Sequence, residues 1–210
     1  MTAAALADIV VLDDVTAAYD PDRPVIRGLT AGIAAQGLTQ VAGGNGTGKS
    51  TFVELLSGYL SPIQGTVTVA GQPAGALAAR PLRRIVRTTP ALFDLLTVRD
   101  HLTLFATAYG IPVAGQLERA SRLGLAPWFD EHASGLSSGT AKKLWYVMCS
   151  GGRPRLVVLD EPFNAVDADG VDTMVDEITA WAADSAVVLV AHTVPARLEV
   201  DQVLTLGGPA

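Results

Sequence analysis

Gly43-Gly44-Asn45-Gly46-Thr47-Gly48-Lys49-Ser50 is the stretch of sequence that decides the fold. It fits the pattern Gly-x4-Gly-Lys-Ser, which is typical of a phosphate-binding loop between a strand and a helix. The apolar residues at 38–42 predict the strand before the loop, and Gly58 and Pro62 are expected to end the helix after it. That helix is predicted from apolar residues at helical spacing, namely Phe52, Leu55, Leu56 and Tyr59.

The chemistry of this loop requires these residue types in this order. Glycines let the backbone curl, so that successive N–H groups converge on phosphate oxygens, and the helix N-terminus adds a favourable dipole. Lys49 is expected to bridge the β- and γ-phosphates, and Ser50 to offer its hydroxyl to Mg²⁺. The alternative is a glycine-rich turn that only starts a helix. The loop predicts nucleotide binding, without distinguishing a transporter subunit from a kinase or a GTPase.

Length, composition and charge restrict the class of protein. The 210 residues are enough for one compact domain with a sizeable core. No run reaches the roughly 18 apolar residues of a membrane-spanning helix, and residues 1–11 lack the basic start of a secretory signal. The net charge of −6, without a Lys/Arg run, argues against nucleic-acid binding. With Cys149 as the single cysteine, these features predict a soluble, intracellular domain.

Strand and helix patterns alternate along the chain, which predicts a largely parallel α/β core. A turn is predicted at 20–22, and residues 90–150 are predicted to form a helical insertion within a nucleotide-binding core. The breaks in that insertion are Gly110, Pro112 and Pro127. Strands are predicted at 9–12, 38–42, 66–69, 156–159 and 186–191. A later helix has Asp169 as a possible N-cap and an apolar face formed by Val171, Met174, Val175 and Ile178.

Asp160 and Glu161 follow the fully apolar run at 156–159, which favours a central strand covered on both faces. Acidic residues at the carboxyl end of a parallel strand lie where α/β proteins place their ligands. Asp160 is expected to hold Mg²⁺ through water, and Glu161 to polarise the water that attacks the γ-phosphate. The alternative is a pair of solvated acids, which the upstream phosphate loop disfavours.

With these motifs placed, the chain resembles the ATP-binding cassette (ABC) ATPase family over nearly its whole length. Leu136-Ser137-Ser138-Gly139-Thr140 resembles the family signature Leu-Ser-Gly-Gly-Gln and lies between the phosphate loop and the acidic pair. The resemblance implies that Ser137 and nearby backbone amides at a helix start face the γ-phosphate bound by another protomer. Taken as a bare pentapeptide, the same residues would more often form an ordinary helix cap.

Three further positions match weaker landmarks of the family. Asn164-Ala165-Val166-Asp167 resembles the D-loop, which touches the partner site, although it could be a simple turn before a helix. His192 matches the switch histidine that contacts the γ-phosphate, and Tyr19 matches the aromatic residue that stacks on adenine. The alternatives are a hydrogen-bonded strand-end histidine and a core or edge tyrosine.

The sequence also departs from the family pattern. Thr88 stands where the family has a glutamine that touches Mg²⁺ or the attacking water, and its shorter side chain puts that metal contact in doubt. Ser138 replaces a signature glycine, Thr140 replaces the signature glutamine, and Gly44 stands where proline is common. Because the other motif residues are retained, we expect a competent ATPase.

The resemblance implies a fold and a set of site residues. The fold is α/β, a P-loop nucleoside triphosphatase core with a mainly parallel sheet, an N-terminal antiparallel β portion and a helical subdomain. One domain at 1–210 is expected, with that subdomain inserted at about 90–150. Glu161 and His192 are the expected catalytic residues, and Ser50, Asp160 and Thr88 are the expected metal ligands. The residues expected to bind ATP are Tyr19, Gly43, Gly44, Asn45, Gly46, Thr47, Gly48, Lys49, Ser50, Thr51, Thr88, Ser137, Ser138, Gly139, Asp160 and Asp167.

The implied function is ATP hydrolysis, with ATP and Mg²⁺ as cofactors, in a transporter of bacterial exporter type. Two protomers are expected to sandwich ATP head to tail, and a separate transmembrane subunit is expected to dock near residues 85–110. The chain would then lie in the cytoplasm, peripheral on the inner face of the membrane, with no nucleic-acid partner. The alternative is a regulatory or non-transport ABC ATPase of the cell-division or DNA-repair type.

Overall fold

A computed structural model describes residues 8–207, so the ends of the predicted 1–210 domain lie outside the described residues. The strands are β1 (Val10–Ala17), β2 (Ile26–Ile33), β3 (Gly37–Ala42), β4 (Gln64–Val69), β5 (Gln72–Pro73), β6 (Arg83–Val86), β7 (Leu156–Asp160), β8 (Ala186–Val190) and β9 (Gln202–Thr205). The α-helices are α1 (Lys49–Ser57), α2 (Val98–Tyr109), α3 (Val113–Arg122), α4 (Ser138–Cys149) and α5 (Ala168–Asp184). Short 3₁₀ helices span Leu77–Leu82, Ala126–Trp128 and Ala133–Gly135.

One sheet of the described chain is antiparallel and has the strand order β2-β1-β4-β5. Val10 in β1 lies opposite Ile33 in β2 and opposite Val69 in β4. Because side chains alternate between the two faces of a sheet, residues directly opposite one another point to the same face. These three side chains are buried, since that face packs in the hydrophobic core. The sheet confirms the expected N-terminal antiparallel portion.

The other sheet has the order β6-β7-β8-β3-β9, and its pairs β7–β8, β8–β3 and β3–β9 are parallel. Every residue of β7 and of β8 is buried, as expected for parallel strands covered on both faces. The predicted mainly parallel α/β core is therefore confirmed.

The described residues form two compact units. The strand unit comprises the residues up to Ile85, Pro154–Asp160 and the residues from Thr179 onward, and the helical unit comprises Val86–Arg153 and Glu161–Ile178. A single domain with an insertion at about 90–150 stays a prediction. Among residues 8–207, no helix combines the length and the apolarity needed to cross a lipid bilayer.

Helix α1 packs its apolar face into the core of the strand unit, where Phe52, Leu55 and Leu56 are fully buried. The helix ends at Ser57, because Gly58 adopts the left-handed conformation with φ 70° and donates to the last carbonyls. Tyr59 lies beyond this cap and is 82% exposed, so its predicted place on the apolar helical face is wrong.

The ends of the longer helices are fixed by side-chain caps. At the start of α2, Thr97 and Asp100 form a reciprocal capping box, which holds the pKa of Asp100 below its ordinary value. At the start of α5, the backbone N–H of Gly170 donates to Asp167 Oδ1 at 2.9 Å. Asp167 is therefore the N-cap, and the prediction of Asp169 in that role is wrong, because Asp169 already lies in the first helical turn.

Candidate functional site

The phosphate loop is curled around its own lysine. Lys49 Nζ donates to the carbonyl oxygens of Gly43 and Gly44, both at 2.8 Å, and Thr47 Oγ1 donates to the Gly44 carbonyl at 3.0 Å. Gly48 caps α1 in the left-handed conformation with φ 96°, and a Cβ there would come within 3.0 Å of Ile26. Backbone conformation and close packing therefore both require glycine at position 48.

The loop offers donors and charge at the start of a helix. The backbone N–H groups of Lys49, Ser50 and Thr51 belong to the first turn of α1, where no carbonyl of the helix itself lies in position to accept them. Gly44, Asn45, Gly46 and Ser50 are exposed, whereas Thr51 is buried. The arrangement suits an anion, which would be bound by main-chain amides, the helix dipole and the Lys49 ammonium.

Strand register brings further predicted residues to the edge of the sheet where the loop begins. Asp160 lies opposite Val190, and Val190 lies opposite Val41, so β7, β8 and β3 end at the same level. The phosphate loop follows β3 after Ala42, Asp160 ends β7, and His192 follows β8 by two residues. The carboxyl edge of parallel strands is where α/β sheets bind ligands.

The side chains at this edge suit a hard divalent cation. The Ser50 hydroxyl and the Asp160 carboxylate are oxygen donors of the kind that Mg²⁺ prefers, and both belong to the strand unit. Asp160 is 8% exposed, and His192 is exposed. Tyr19 is 62% exposed just after β1, which excludes the alternative of a core tyrosine.

In the helical unit, Ser137 is the N-cap of α4. Its Oγ accepts from the Thr140 backbone N–H at 3.1 Å and lies 2.8 Å from Thr140 Oγ1. The threonine that replaces the expected glutamine is buried against this cap, whereas Ser137 and Ser138 stay exposed at the helix start. Ser137 therefore caps the helix, as the alternative interpretation of this pentapeptide predicted, and an anion site at this helix start stays a prediction.

The structure brings two motifs of the helical unit together. A Cβ at Gly139 would collide with the carbonyl oxygen of Ala165, which itself has φ 64°, so glycine permits this close approach. Lys143 Nζ binds Asp167 Oδ2 at 2.8 Å. Hydrogen bonds from Lys143 and from the Gly170 N–H hold the pKa of Asp167 below its ordinary value. The predicted signature and D-loop are therefore joined by packing and by an ion pair.

Thr88 and Glu161 also belong to the helical unit. Thr88 is exposed, and its main-chain carbonyl accepts a hydrogen bond from Lys142 Nζ. Glu161 has φ 48°, which is a left-handed backbone conformation. This conformation is unfavourable for residues that have a Cβ, and it is enriched at functional sites. The backbone of Glu161 thus sets it apart from an ordinary solvated acid.

Sequence reasoning missed the side chains that hold these segments. Lys142 and Lys143 are buried on α4, and Trp145 Nε1 donates to the Arg87 carbonyl at 3.1 Å. A usable signal was present, because consecutive lysines stand directly after the signature in a helix that is otherwise apolar from Leu144 to Cys149. Their partners depend on tertiary structure and carry no local motif.

The chain is similar to known ATP-binding subunits of transporters. The sequence model of the family described as ABC transporter matches residues 26–164. The chain is 32% identical over 193 residues to the cytochrome c biogenesis ATP-binding export protein CcmA of Salmonella typhi, covering 89% of this chain and 93% of that protein. It is 34% identical over 167 residues to ATP-binding cassette sub-family A member 7 of Mus musculus, covering 76% of this chain but only 8% of that protein.

Solved structures show the same fold. The ATP-binding subunit of an ABC transporter superposes with a TM-score of 0.79 at 24% identity, over 88% of this chain and 79% of that one. A bacterial Atm1-family ABC exporter with ATP bound gives a TM-score of 0.81 at 22% identity, over 96% of this chain and 37% of that one. A dimeric ATP-binding cassette bound to ADP and phosphate gives 0.77 at 18% identity, over 88% of each chain.

Proposed function

Since this chain belongs to the ABC transporter family, we propose that it is an ATP-hydrolysing subunit that powers transport through a separate membrane subunit. The observation that carries the proposal is the shared level of β3, β7 and β8. It puts a phosphate loop, an acidic residue and a histidine at one sheet edge within the strand unit. A solvated strand end would not need this combination.

The residues of the strand unit bind and orient the nucleotide. The loop amides and Lys49 bind the β- and γ-phosphates, and the exposed Tyr19 stacks on the adenine. Ser50 and Asp160 would hold Mg²⁺, which would neutralise charge on the phosphate oxygens. Because phosphoryl transfer needs little covalent help, positioning and charge stabilisation carry most of the catalysis.

Glu161 and His192 act on the attacking water and the γ-phosphate. Glu161 follows the proposed metal ligand Asp160 directly and accepts a hydrogen bond from the water, which turns a water lone pair toward the phosphorus. His192 contacts a γ-phosphate oxygen. The left-handed backbone of Glu161 supports this role, since such strain persists where the surrounding structure enforces it.

A second copy completes the ATP site. Each copy carries a phosphate loop in its strand unit and the exposed Ser137 and Ser138 at the start of α4 in its helical unit. A head-to-tail pair would place the α4 start of one copy against the γ-phosphate bound by the other. The dimeric ATP-binding cassette among the solved structures supports such a pair.

The membrane subunit docks on the exposed apolar loop before α2. Phe93 is 56% exposed and Leu95 84% exposed, yet the loop backbone is fixed. His101 Nε2 accepts from the Phe93 N–H at 2.9 Å, and His132 Nδ1 lies 3.0 Å from the Leu95 carbonyl oxygen. Exposed apolar side chains on a fixed backbone are typical of a protein-binding surface. The ATP-hydrolysing chain would then lie on the inner face of the membrane, and its similarity to CcmA favours export.

Co-purification from detergent-solubilised membranes tests the proposal. The wild-type chain should bring down a protein with several membrane spans, and a Phe93→Ser/Leu95→Ser variant should lose it while keeping ATP turnover. Leu77→Ser is a matched control, because Leu77 is 72% exposed but lies in the strand unit. A partner from the division or chromatin machinery would overturn the transport role.

A further inference from the structure

Helix α4 carries two consecutive buried lysines, Lys142 and Lys143, which are 4% and 8% exposed. Burying an ammonium group costs free energy unless it is hydrogen-bonded, so the atoms that these lysines bind matter. Neighbouring residues of an α-helix point about 100° apart. The two side chains accordingly reach different parts of the helical unit: Lys142 Nζ binds the Thr88 carbonyl, and Lys143 Nζ binds Asp167 Oδ2 at 2.8 Å.

Each contact is supported by a second one from the same side of the helix. Trp145 stands three residues after Lys142, and its Nε1 donates to the carbonyl of Arg87, the neighbour of Thr88. Gly139 stands four residues before Lys143, and its missing Cβ makes room for the Ala165 carbonyl. One side of α4 thus holds the backbone at 87–88, and another holds the segment at 165–167.

We propose that Lys142 and Lys143 are positioning residues that fix segments 87–88 and 165–167 to the signature helix, each lysine serving its own segment. The inference rests on the proposed function in one respect, because Thr88, Asp167 and the start of α4 are the predicted ATP-site elements of the helical unit. Lys142 binds the main chain at position 88. The path of this segment is therefore set independently of the short threonine side chain that replaces the usual glutamine.

The charge of these lysines has a geometric role. Apolar side chains of similar size would fill the same space without selecting one carbonyl or one carboxylate, whereas an ammonium group must meet its acceptor within hydrogen-bonding distance. Loss of either lysine should therefore release one segment while the packing of α4 stays largely intact.

Hydrogen exchange of the full-length protein tests this assignment directly. Lys142→Met should increase amide exchange at residues 86–89, and Lys143→Met should increase it at 163–169. The expected increase is roughly tenfold, the equilibrium change that corresponds to one hydrogen bond. Arg99→Met is the matched control, since it removes the exposed Arg99–Asp130 ion pair at 3.1 Å in the same unit and should leave both segments unchanged.

ATP turnover gives the functional readout. Either methionine variant should lower kcat roughly 10- to 100-fold through misplaced site elements, with little change in KM for ATP. Lys143→Arg should retain most of the activity, because a guanidinium group can also bind Asp167.

A segment that keeps its protection when its own lysine is replaced overturns the inference. An equal rise in exchange throughout the helical unit with either variant also overturns it, because that result indicates general destabilisation. If the wild-type protein binds ATP but does not hydrolyse it, the proposed function fails, while the exchange measurement still decides this inference.

Discussion

In the strand unit Lys49 binds the carbonyl oxygens of its own loop, whereas in the helical unit Lys142 and Lys143 bind segments far away in the sequence. The Lys49 contacts span six and five residues, and those of Lys142 and Lys143 span 54 and 24. The phosphate loop is thus organised locally at a strand end, while the elements around the signature depend on buried charges. Substitutions outside the motifs should therefore destabilise the helical unit more than the strand unit.

The buried ion pair of the helical unit gives the largest expected effect on stability. Arg119 binds Glu177 with Nε at 2.9 Å from both carboxylate oxygens, and both residues are 9% exposed. Burial alone would lower the pKa of Arg119, but the Glu177 carboxylate raises it above its ordinary value. Arg119→Met should lower the free energy of unfolding by about 3–5 kcal/mol, because Glu177 loses its main buried partner.

Denaturant unfolding with a matched variant measures this effect. Arg122 binds the same Glu177 at 3.2 Å, but its side chain is 61% exposed. Arg122→Met should cost under about 1 kcal/mol, as exposed ion pairs usually do. Equal losses in the two variants would show that burial is not what makes the Arg119 contact important.

One glycine in each unit gives the next largest expected effect on stability. Gly139→Ala should cost about 1–3 kcal/mol, because the new Cβ meets the Ala165 carbonyl and the backbone must move. Gly46→Ala in the phosphate loop meets nothing within 4 Å, so its cost should be about 1–2 kcal/mol from its φ of 79° alone.

Hydrogen exchange separates the two glycine effects. Exchange at residues 163–169 should rise with Gly139→Ala and stay unchanged with Gly46→Ala. Undisturbed exchange at 163–169 in the Gly139 variant would contradict the close approach of the two motifs.

The smallest predicted effect concerns acid stability. Because the pKa of Asp167 is lowered in the folded protein, its ionised form stabilises the fold above the unfolded pKa of about 3.9. This contribution is lost as the pH falls through the lowered pKa. Lys143→Met should move the pKa of Asp167 back toward its ordinary value, which carboxyl NMR titration would report. An unchanged titration would show that Lys143 does not set this pKa.

Features that depend on local sequence could be predicted, whereas features that depend on long-range contacts could not. The phosphate loop, its strand and the place of Asp160 were predictable, because glycine spacing, an apolar run and the strand-end rule are local signals. The sequence pattern favoured Asp169 as the N-cap of α5, although Asp167 holds that position. Both residue types are suited to a helix start, and only the backbone conformation determines which one caps the helix. Tyr59 was misplaced because periodicity continued past the glycine that ends α1.

The contacts of Lys142, Lys143 and Arg119 could not be predicted in this way. Each joins residues from separate helices or loops, and the chain folds them together through tertiary packing. The sequence shows only that charged residues stand inside apolar helical patterns. The partner of each charge follows from the fold.

ATP turnover in the presence of Mg²⁺, compared between the wild type and Glu161→Gln, tests whether this chain hydrolyses ATP with Glu161 as the general base. The wild type should hydrolyse ATP, and the variant should still bind ATP but turn it over about 10²-fold or more slowly, since the general base is lost. Undiminished turnover in Glu161→Gln would contradict the role of Glu161, and a wild type that binds ATP without hydrolysing it would contradict the proposed ATPase activity.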